Sequence, residues 1–422
     1  MSVTTMSATP APDDRAGRIH SLDVIRGAVM VLMAVDHVRV YSGVPAGGPT
    51  AGVFFTRWIT HFCAPVFVFL AGTGAYLYAR RSSFRLKAEA TGLKAEATGL
   101  RAEATGLKAE ATGLKAQAAR YLATRGLILV LLELTVIRAS WTFGFDYSQF
   151  ILAGVIWMLG WCMVLMAALV WLPTWAIGVV GVIVIVFQDV FGVLGRLLPA
   201  SWQWLWEFIY PVGVDVTIGA HGPNVAVLYS IVPWIGVMAA GYAFGAVIVL
   251  DPAARRKWCL RIGLLATALF VAGAGLEVLL SPAPENAPPA LFRFLNQRKY
   301  PASPLFLLMT LGPAIALLPL AERARGWVGD VLATFGRVPM FYYLLHIPLI
   351  HATALVVWLL RDGSIHSEWF ATAPYVSVPP EHRWGLGLLY AVFAIDVAIL
   401  YLPCRWFARV KARRQSGWLR YL

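Results

Sequence analysis

Arg57-Trp58-Ile59-Thr60-His61-Phe62-Cys63-Ala64-Pro65-Val66-Phe67-Val68-Phe69-Leu70-Ala71-Gly72 opens an apolar run that continues to residue 79. A helix needs about 20 apolar residues to cross about 30 Å of hydrocarbon, so this run is long enough to span a bilayer. Comparable stretches lie near 22–41, 121–139, 149–172, 174–192, 226–249, 258–280, 303–321, 331–360 and 384–407. Together they predict an all-α polytopic membrane bundle of about ten transmembrane helices.

Composition points the same way. Of 422 residues, 59% are hydrophobic and only 14% charged, with a mean hydropathy of +0.68, more apolar surface than one soluble core buries. Trp58, Trp141, Trp171, Trp175, Trp202 and Trp384 stand near the ends of apolar runs, where amphipathic rings meet the headgroups. The net charge of +13 raises nucleic acid as a partner, but the basic residues fall in short segments between apolar runs and form no soluble basic face. They read as topology signals. Arg80, Arg81, Arg85, the lysines and arginines of 87–120, Arg255, Arg256, Lys257, Arg323, Arg325 and the tail from Arg409 to Arg414 fall on one side if both termini are cytoplasmic.

The expected organisation is a cytoplasmic tail over 1–20, a transmembrane domain over 21–407 and a basic cytoplasmic tail over 408–422. Residues 1–20 lack an apolar h-region, so a cleaved signal peptide is not expected. A cytoplasmic insertion over 86–119 carries the heptad Leu-Lys-Ala-Glu-Ala-Thr-Gly, repeated from Leu86 through Gly113 with Arg101 as its only substitution. One large apolar residue and one Gly per heptad argue against a coiled coil, while Ala, Glu and Lys favour a helical extension. Cys63, Cys162, Cys259 and Cys404 lie in or beside apolar runs without metal-ligand spacing, so no metal is expected.

Ionisable groups inside a bilayer are expensive unless paired or facing a cavity, which makes each a candidate for function. The first span carries Asp23 and Arg26 near one end and Asp36, His37 and Arg39 near the other. Arg26, Met30, Met33 and His37 share one helical stripe, and eleven residues place Arg26 and His37 about 16 Å apart. Asp23 and Arg26 also suit a plain i,i+3 ion pair. After a short loop the second span brings His61 to the depth of Asp36 and His37. Two imidazoles and a carboxylate suit proton transfer, with the carboxylate orienting a ring.

Between Tyr121 and Trp141, Glu133 and Arg138 require partners inside the bundle, and Arg125 reads as snorkelling to the interface. In Gly336-Arg337-Val338-Pro339-Met340-Phe341-Tyr342-Tyr343-Leu344-Leu345-His346, Tyr342 and Tyr343 flank His346 at i−4 and i−3. Pro339 and Pro348 free backbone carbonyls, as at a polar cavity. His351 points about 140° away from His346.

Ser21-Leu-Asp-Val-Ile-Arg-Gly27, Asp36-His37, His61-Phe-Cys-Ala-Pro65, Pro233-Trp-Ile-Gly236, Lys299-Tyr-Pro-Ala-Ser303 and Gly336-Arg-Val-Pro339 with His346 resemble, in order, the bacterial DUF1624 group. That group is similar to the catalytic domain of heparan-alpha-glucosaminide N-acetyltransferase. The resemblance covers about residues 18 to 407 without the heptad insertion. It implies a multi-pass protein of the bacterial inner membrane that moves an acetyl group from cytosolic acetyl-CoA to an acceptor on the far side. In lysosomal members an Asn at the outer end of the first span and a His in the next loop are the proposed catalytic residues. Here His37 matches the Asn and the loop 42–56 contains no His, so His61 or His346 would supply that role.

The resulting expectation is acyl transfer from acetyl-CoA or another acyl-CoA to a hydroxyl or amine of an extracytoplasmic sugar or small molecule. Asp36, His37, His61 and His346 are the expected catalytic group, and Arg26, Asp23 and Arg337 the expected CoA site. Glu133, Arg138, Tyr342, Tyr343 and Lys299 are expected to line the substrate cavity. The expected partners are the lipid bilayer, the acyl donor, the acceptor and a second copy in a homodimer, with no nucleic acid. The competing reading is a proton-coupled transporter or flippase using the same His, Asp and Glu as a relay. Two-fold internal repeats would favour it, and none is visible. A scaffold binding a partner through the heptad loop leaves the histidines unexplained.

Overall fold

The computed structural model describes residues 19–413 except 49, 94–99, 149, 282, 284 and 286, and within 81–93 and 100–111 only the helical backbone. Of the expected tails, 1–18 and 414–422 lie outside the described residues, as does 94–99 of the heptad insertion. The first half comprises α1 (His20–Tyr41), α2 (Ala51–Ile59), α3 (Cys63–Leu93), α4 (Leu100–Leu132), α5 (Arg138–Thr142), β1 (Phe150–Ala153), α6 (Val155–Leu169), α7 (Thr174–Val186), α8 (Asp189–Leu197) and α9 (Ala200–Glu207). The second comprises β2 (Asn224–Val227), α10 (Trp234–Ile248), α11 (Pro252–Leu280), α12 (Ala290–Leu295), α13 (Pro304–Ala321), α14 (Trp327–Arg337), α15 (Pro339–Asp362) and α16 (Leu386–Arg413). The protein is a polytopic helical membrane protein.

Among the described residues, five helices are long and apolar enough to cross a membrane: Ala51–Arg80, α11, α13, α15 and α16. The pair α7 and α8, bent by 68°, makes a sixth if it is one span, and α6 and α10 are apolar but shorter. Each stretch expected to span contains a helix, with different bounds. The stretch 331–360 is interrupted at Val338, which leaves helical geometry at φ −130° and ψ 49°. Pro339 explains the break, because its ring disfavours the helical conformation in the preceding residue. The stretches 149–172 and 226–249 begin as strands. There β1 and β2 pair in parallel, Phe150 opposite Asn224 through Ala153 opposite Val227.

Helix α1 occupies the centre, against α3, α13, α14, α15 and α16. Its approach to α14 depends on two glycines: a Cβ on Gly27 would run into the Leu332 carbonyl, and one on Gly336 into the Asp23 carbonyl. Small residues let helix backbones touch where lipid supplies no hydrophobic drive to pack. Gly126 and Gly160 form the same reciprocal contact between α4 and α6. The heptad sequence continues α3 and α4 as helices beyond the spans, as its Ala, Glu and Lys content favours.

Candidate active site

The last turn of α1 places Asp36, His37 and Arg39 at one end of the bundle, beside a cavity of about 480 Å³. His37 Nδ1 lies 2.7 Å from His346 Nε2, with the two ring planes 22° apart. His346 Nδ1 lies 2.7 Å from the Tyr343 carbonyl and 3.2 Å from that of Tyr342. A carbonyl only accepts, so His346 Nδ1 carries the proton and its Nε2 lone pair accepts from His37 Nδ1–H. The remaining nitrogen of neutral His37, Nε2, is then the basic one. Trp141 closes edge-to-face on the His37 ring at 4.7 Å, and its own carbonyl accepts from the Tyr41 hydroxyl at 2.6 Å.

Tyr343 lines the cavity and meets the His346 ring edge-on at 5.1 Å. Tyr342 stacks on His346 at 5.2 Å, is fully buried and does not reach the cavity. Its hydroxyl has no hydrogen-bond partner among the described residues. His351 has a packing role, stacked on Tyr41 at 4.7 Å and on Phe143 at 3.9 Å.

The carboxylate expected to orient His37 is engaged elsewhere. Asp36 accepts from Arg39 Nε at 3.0 Å and from Arg57 Nη1 at 3.2 and 3.1 Å. Arg39 also donates to the Val44 carbonyl at 2.9 Å, so the cluster ties α1 to α2 and fixes the loop between them. Two guanidiniums compete for the carboxylate more strongly than one neutral imidazole.

His61 falls in the 3-10 turn Thr60–Phe62 between α2 and α3, buried and edge-on to Phe306 at 5.4 Å. It does not line the cavity. Pro65, lacking the N–H that would bond the His61 carbonyl, helps turn the chain there. Lys299 is likewise buried, its ammonium 5.2 Å from the Tyr300 ring centre, and only Tyr300 reaches the cavity. Desolvation raises the Tyr300 phenol, but the cations Lys299 and Arg57 outweigh it and hold the group below the ordinary phenol range.

Glu133 begins a π-turn, Glu133–Ile137, that interrupts the run from α4 to α5. Such turns recur at functional sites. Its Oε2 accepts from the backbone N–H groups of Ile156 and Trp157 at 2.9 and 3.2 Å, capping α6 from a neighbouring helix. Gly154, with no side chain, leaves room for the carboxylate, which also lines the cavity. Arg138, expected there, turns away. It donates to the carbonyls of Gly144 at 2.5 Å and Phe150 at 3.3 Å and to that of Asp146, holding the loop before β1.

A second cavity of about 230 Å³ lies at the Arg26 end, with Arg26, Arg125, Arg337 and Lys411 in its wall. Arg26 Nη1 lies 3.5 Å from Asp23 Oδ1 and donates to the Gly336 carbonyl at 3.2 Å. Asp23 steadies Arg26 without lining the cavity. Arg125 donates to the Tyr121 hydroxyl at 2.8 Å. Sequence reasoning missed Lys411, read only as part of a basic tail, and placed Arg125 at the interface.

Three helices contribute to both cavities in consecutive turns: Leu129 then Glu133 on α4 and the π-turn, Leu159 then Val155 on α6, Met340 then Tyr343 on α15. Each step is three or four residues, about 4.5 to 6 Å of rise. A single layer of side chains thus divides the basic cavity from the one that His37 lines.

The family model described as the catalytic domain of heparan-alpha-glucosaminide N-acetyltransferase matches residues 18–280. The matched stretch includes Asp36, His37, His61 and Glu133 and ends before Lys299 and His346. No curated protein matches the chain.

Proposed function

Because the chain belongs to the family of the heparan-alpha-glucosaminide N-acetyltransferase catalytic domain, we propose that it moves an acetyl group from acetyl-CoA across the membrane to a hydroxyl or amine of an extracytoplasmic acceptor. The observation that carries this reading is the His37–His346 pair, held by the Tyr343 carbonyl and leaving His37 Nε2 without a partner among the described residues, in a cavity whose wall lies one helical turn from that of a basic cavity. The proposed topology has ten spans with both termini cytoplasmic. It counts the charge-bearing α1 and α4 and the short α6 and α10 with the longer helices and the bent pair. The basic segments, concentrated on the Arg26 side, support that orientation.

In this mechanism Arg26, Arg125, Arg337 and Lys411 hold the CoA phosphates, because guanidinium forks match phosphate oxygens. The pantetheine arm follows α1 over the ~16 Å between Arg26 and His37. His37 Nε2 takes the proton of the acceptor O–H or N–H as its heteroatom attacks the thioester carbonyl. A C–O or C–N bond forms, the C–S bond breaks, and the CoA thiolate leaves with the proton that His37 returns. His346 accepts from His37 Nδ1 throughout and keeps the ring in the productive tautomer. Asp36 acts through Arg39 and Arg57 by fixing the end of α1.

The test is thiol release from acetyl-CoA by the purified protein in proteoliposomes. Wild type consumes the thioester and His37→Ala is slower by about 10²- to 10⁴-fold, the usual contribution of a general base. Equal rates in the two proteins would remove His37 from the chemistry.

A further inference from the structure

The histidine cavity has a wall that the histidine pair does not explain. Residues 363–385, between α15 and α16, bring Pro374, Tyr375, Val376, Val378 and Arg383 to it. Arg383 differs from the other arginines of this cavity. Arg39 and Arg57 are committed to Asp36, whereas the Arg383 side chain makes no hydrogen bond or ion pair among the described residues.

Its backbone, by contrast, is pinned on both sides. On one side His382 Nδ1 lies 2.8 Å from Asp362 Oδ2, and the His382 carbonyl accepts from Arg361 at 3.3 Å. On the other, Trp384 N–H donates to the Ser42 carbonyl at 3.0 Å, and the buried Trp384 indole packs on Trp358 at 5.7 Å. A fixed backbone carrying an uncommitted guanidinium at a cavity mouth is pre-organised for a ligand.

The charge distribution along the cavity fits one class of ligand. Glu133 lines it as a buried group, whereas Arg383, packed beside Gly43, is exposed. Gly43 follows the end of α1, the helix that carries His37, and turns the chain with a positive φ of 71°. The cations Lys299 and Arg57 already depress the Tyr300 phenol in the same wall.

We propose that Arg383 is a specificity-determining residue. It binds a carboxylate, phosphate or sulfate carried by the acceptor and so turns the acceptor's hydroxyl or amine toward His37. The planar fork offers two parallel N–H donors that match any of these anions. This proposal rests on the acyl-transfer reading for the role of His37, but anion binding at Arg383 can be measured without any donor.

The experiment compares glucose, glucuronate and glucose 6-phosphate as ligands of the purified protein by thermal shift at low salt, in wild type, Arg383→Gln and Arg383→Lys. The same sugars are then supplied as acceptors with acetyl-CoA. The expected result is that wild type favours the two anionic sugars over glucose, and that Arg383→Gln lowers this preference about ten- to hundredfold. Arg383→Lys, which keeps the charge and loses the fork, retains part of it, and raising the salt weakens it in wild type. Equal binding of all three sugars by wild type, no binding of any of them, or an unchanged preference in Arg383→Gln overturns the proposal. Anion-selective binding without thioester consumption keeps Arg383 as the anion site and removes acyl transfer. Thioester consumption without anion selectivity does the reverse.

Discussion

Removing His346 tests whether the two histidines act as one unit. In the intact site His346 Nε2 is the acceptor for His37 Nδ1–H at 2.7 Å, and Tyr343 fixes the proton on the far nitrogen of His346. His346→Ala leaves His37 Nδ1–H without that acceptor and frees the ring to adopt the other tautomer. A positioned general base contributes about 10²- to 10⁴-fold, or about 2.7 to 5.5 kcal/mol at 1.36 kcal/mol per decade. His346→Ala is therefore expected to lower turnover about a hundredfold or more, and His37→Ala at least as much. Because each residue works through the other, the double variant falls no further than His37→Ala alone. The assay is acetyl-CoA thiol release in proteoliposomes, normalised to folded protein by size exclusion in detergent. A His346→Ala enzyme within threefold of wild type, or single effects that multiply in the double variant, would refute the coupling.

Three further outcomes follow from the packing and the charges. Asp36→Ala leaves Arg39 and Arg57 without their shared carboxylate and is expected to destabilise the protein by about 3–5 kcal/mol, read as a lower unfolding midpoint in detergent; a midpoint equal to wild type would return Asp36 to a purely catalytic role. Arg26→Gln and Arg337→Gln are expected to raise KM for acetyl-CoA about tenfold each with little change in kcat, the pattern of lost uniform binding, and an unchanged KM in both would move the donor site elsewhere. Gly27→Ala, whose methyl would meet the Leu332 carbonyl, is expected to lower stability by about 1–3 kcal/mol, whereas Gly275→Ala, with open space around it in α11, is neutral or stabilising; equal midpoints for the two would contradict the close α1–α14 packing.

Much of this was legible in the sequence because its signals are long or local. Apolar runs of about 20 residues mark helices whatever their tertiary context, and charges within such runs mark sites by their cost. His37 and His346 stood out on that ground, as did Arg26. Tertiary partners were not. Asp36 was assigned to its sequence neighbour His37, but Arg57, 21 positions away, takes the carboxylate. His61 was placed at the right end, but the 3-10 turn carries it out of the cavity wall. Arg138 looked like a buried charge seeking a substrate and instead found the carbonyls of Gly144, Asp146 and Phe150. The two strands are four residues each and pair across more than 70 positions, so no local pattern announces them. Pro339 did signal a break, which the continuous hydropathy of 331–360 concealed.

The central claim is that one protein takes an acyl group from a donor on one face of the membrane and gives it to an acceptor on the other. Sealed proteoliposomes test it directly, with labelled acetyl-CoA outside and a hydroxyl or amine acceptor trapped inside, using vesicles sorted for the orientation that faces Arg26 outward. The account predicts labelled product in the lumen, one free CoA thiol outside for each product, and neither with His37→Ala. Acceptor crossing the membrane unmodified, with no thioester consumed, would contradict it and identify a transporter.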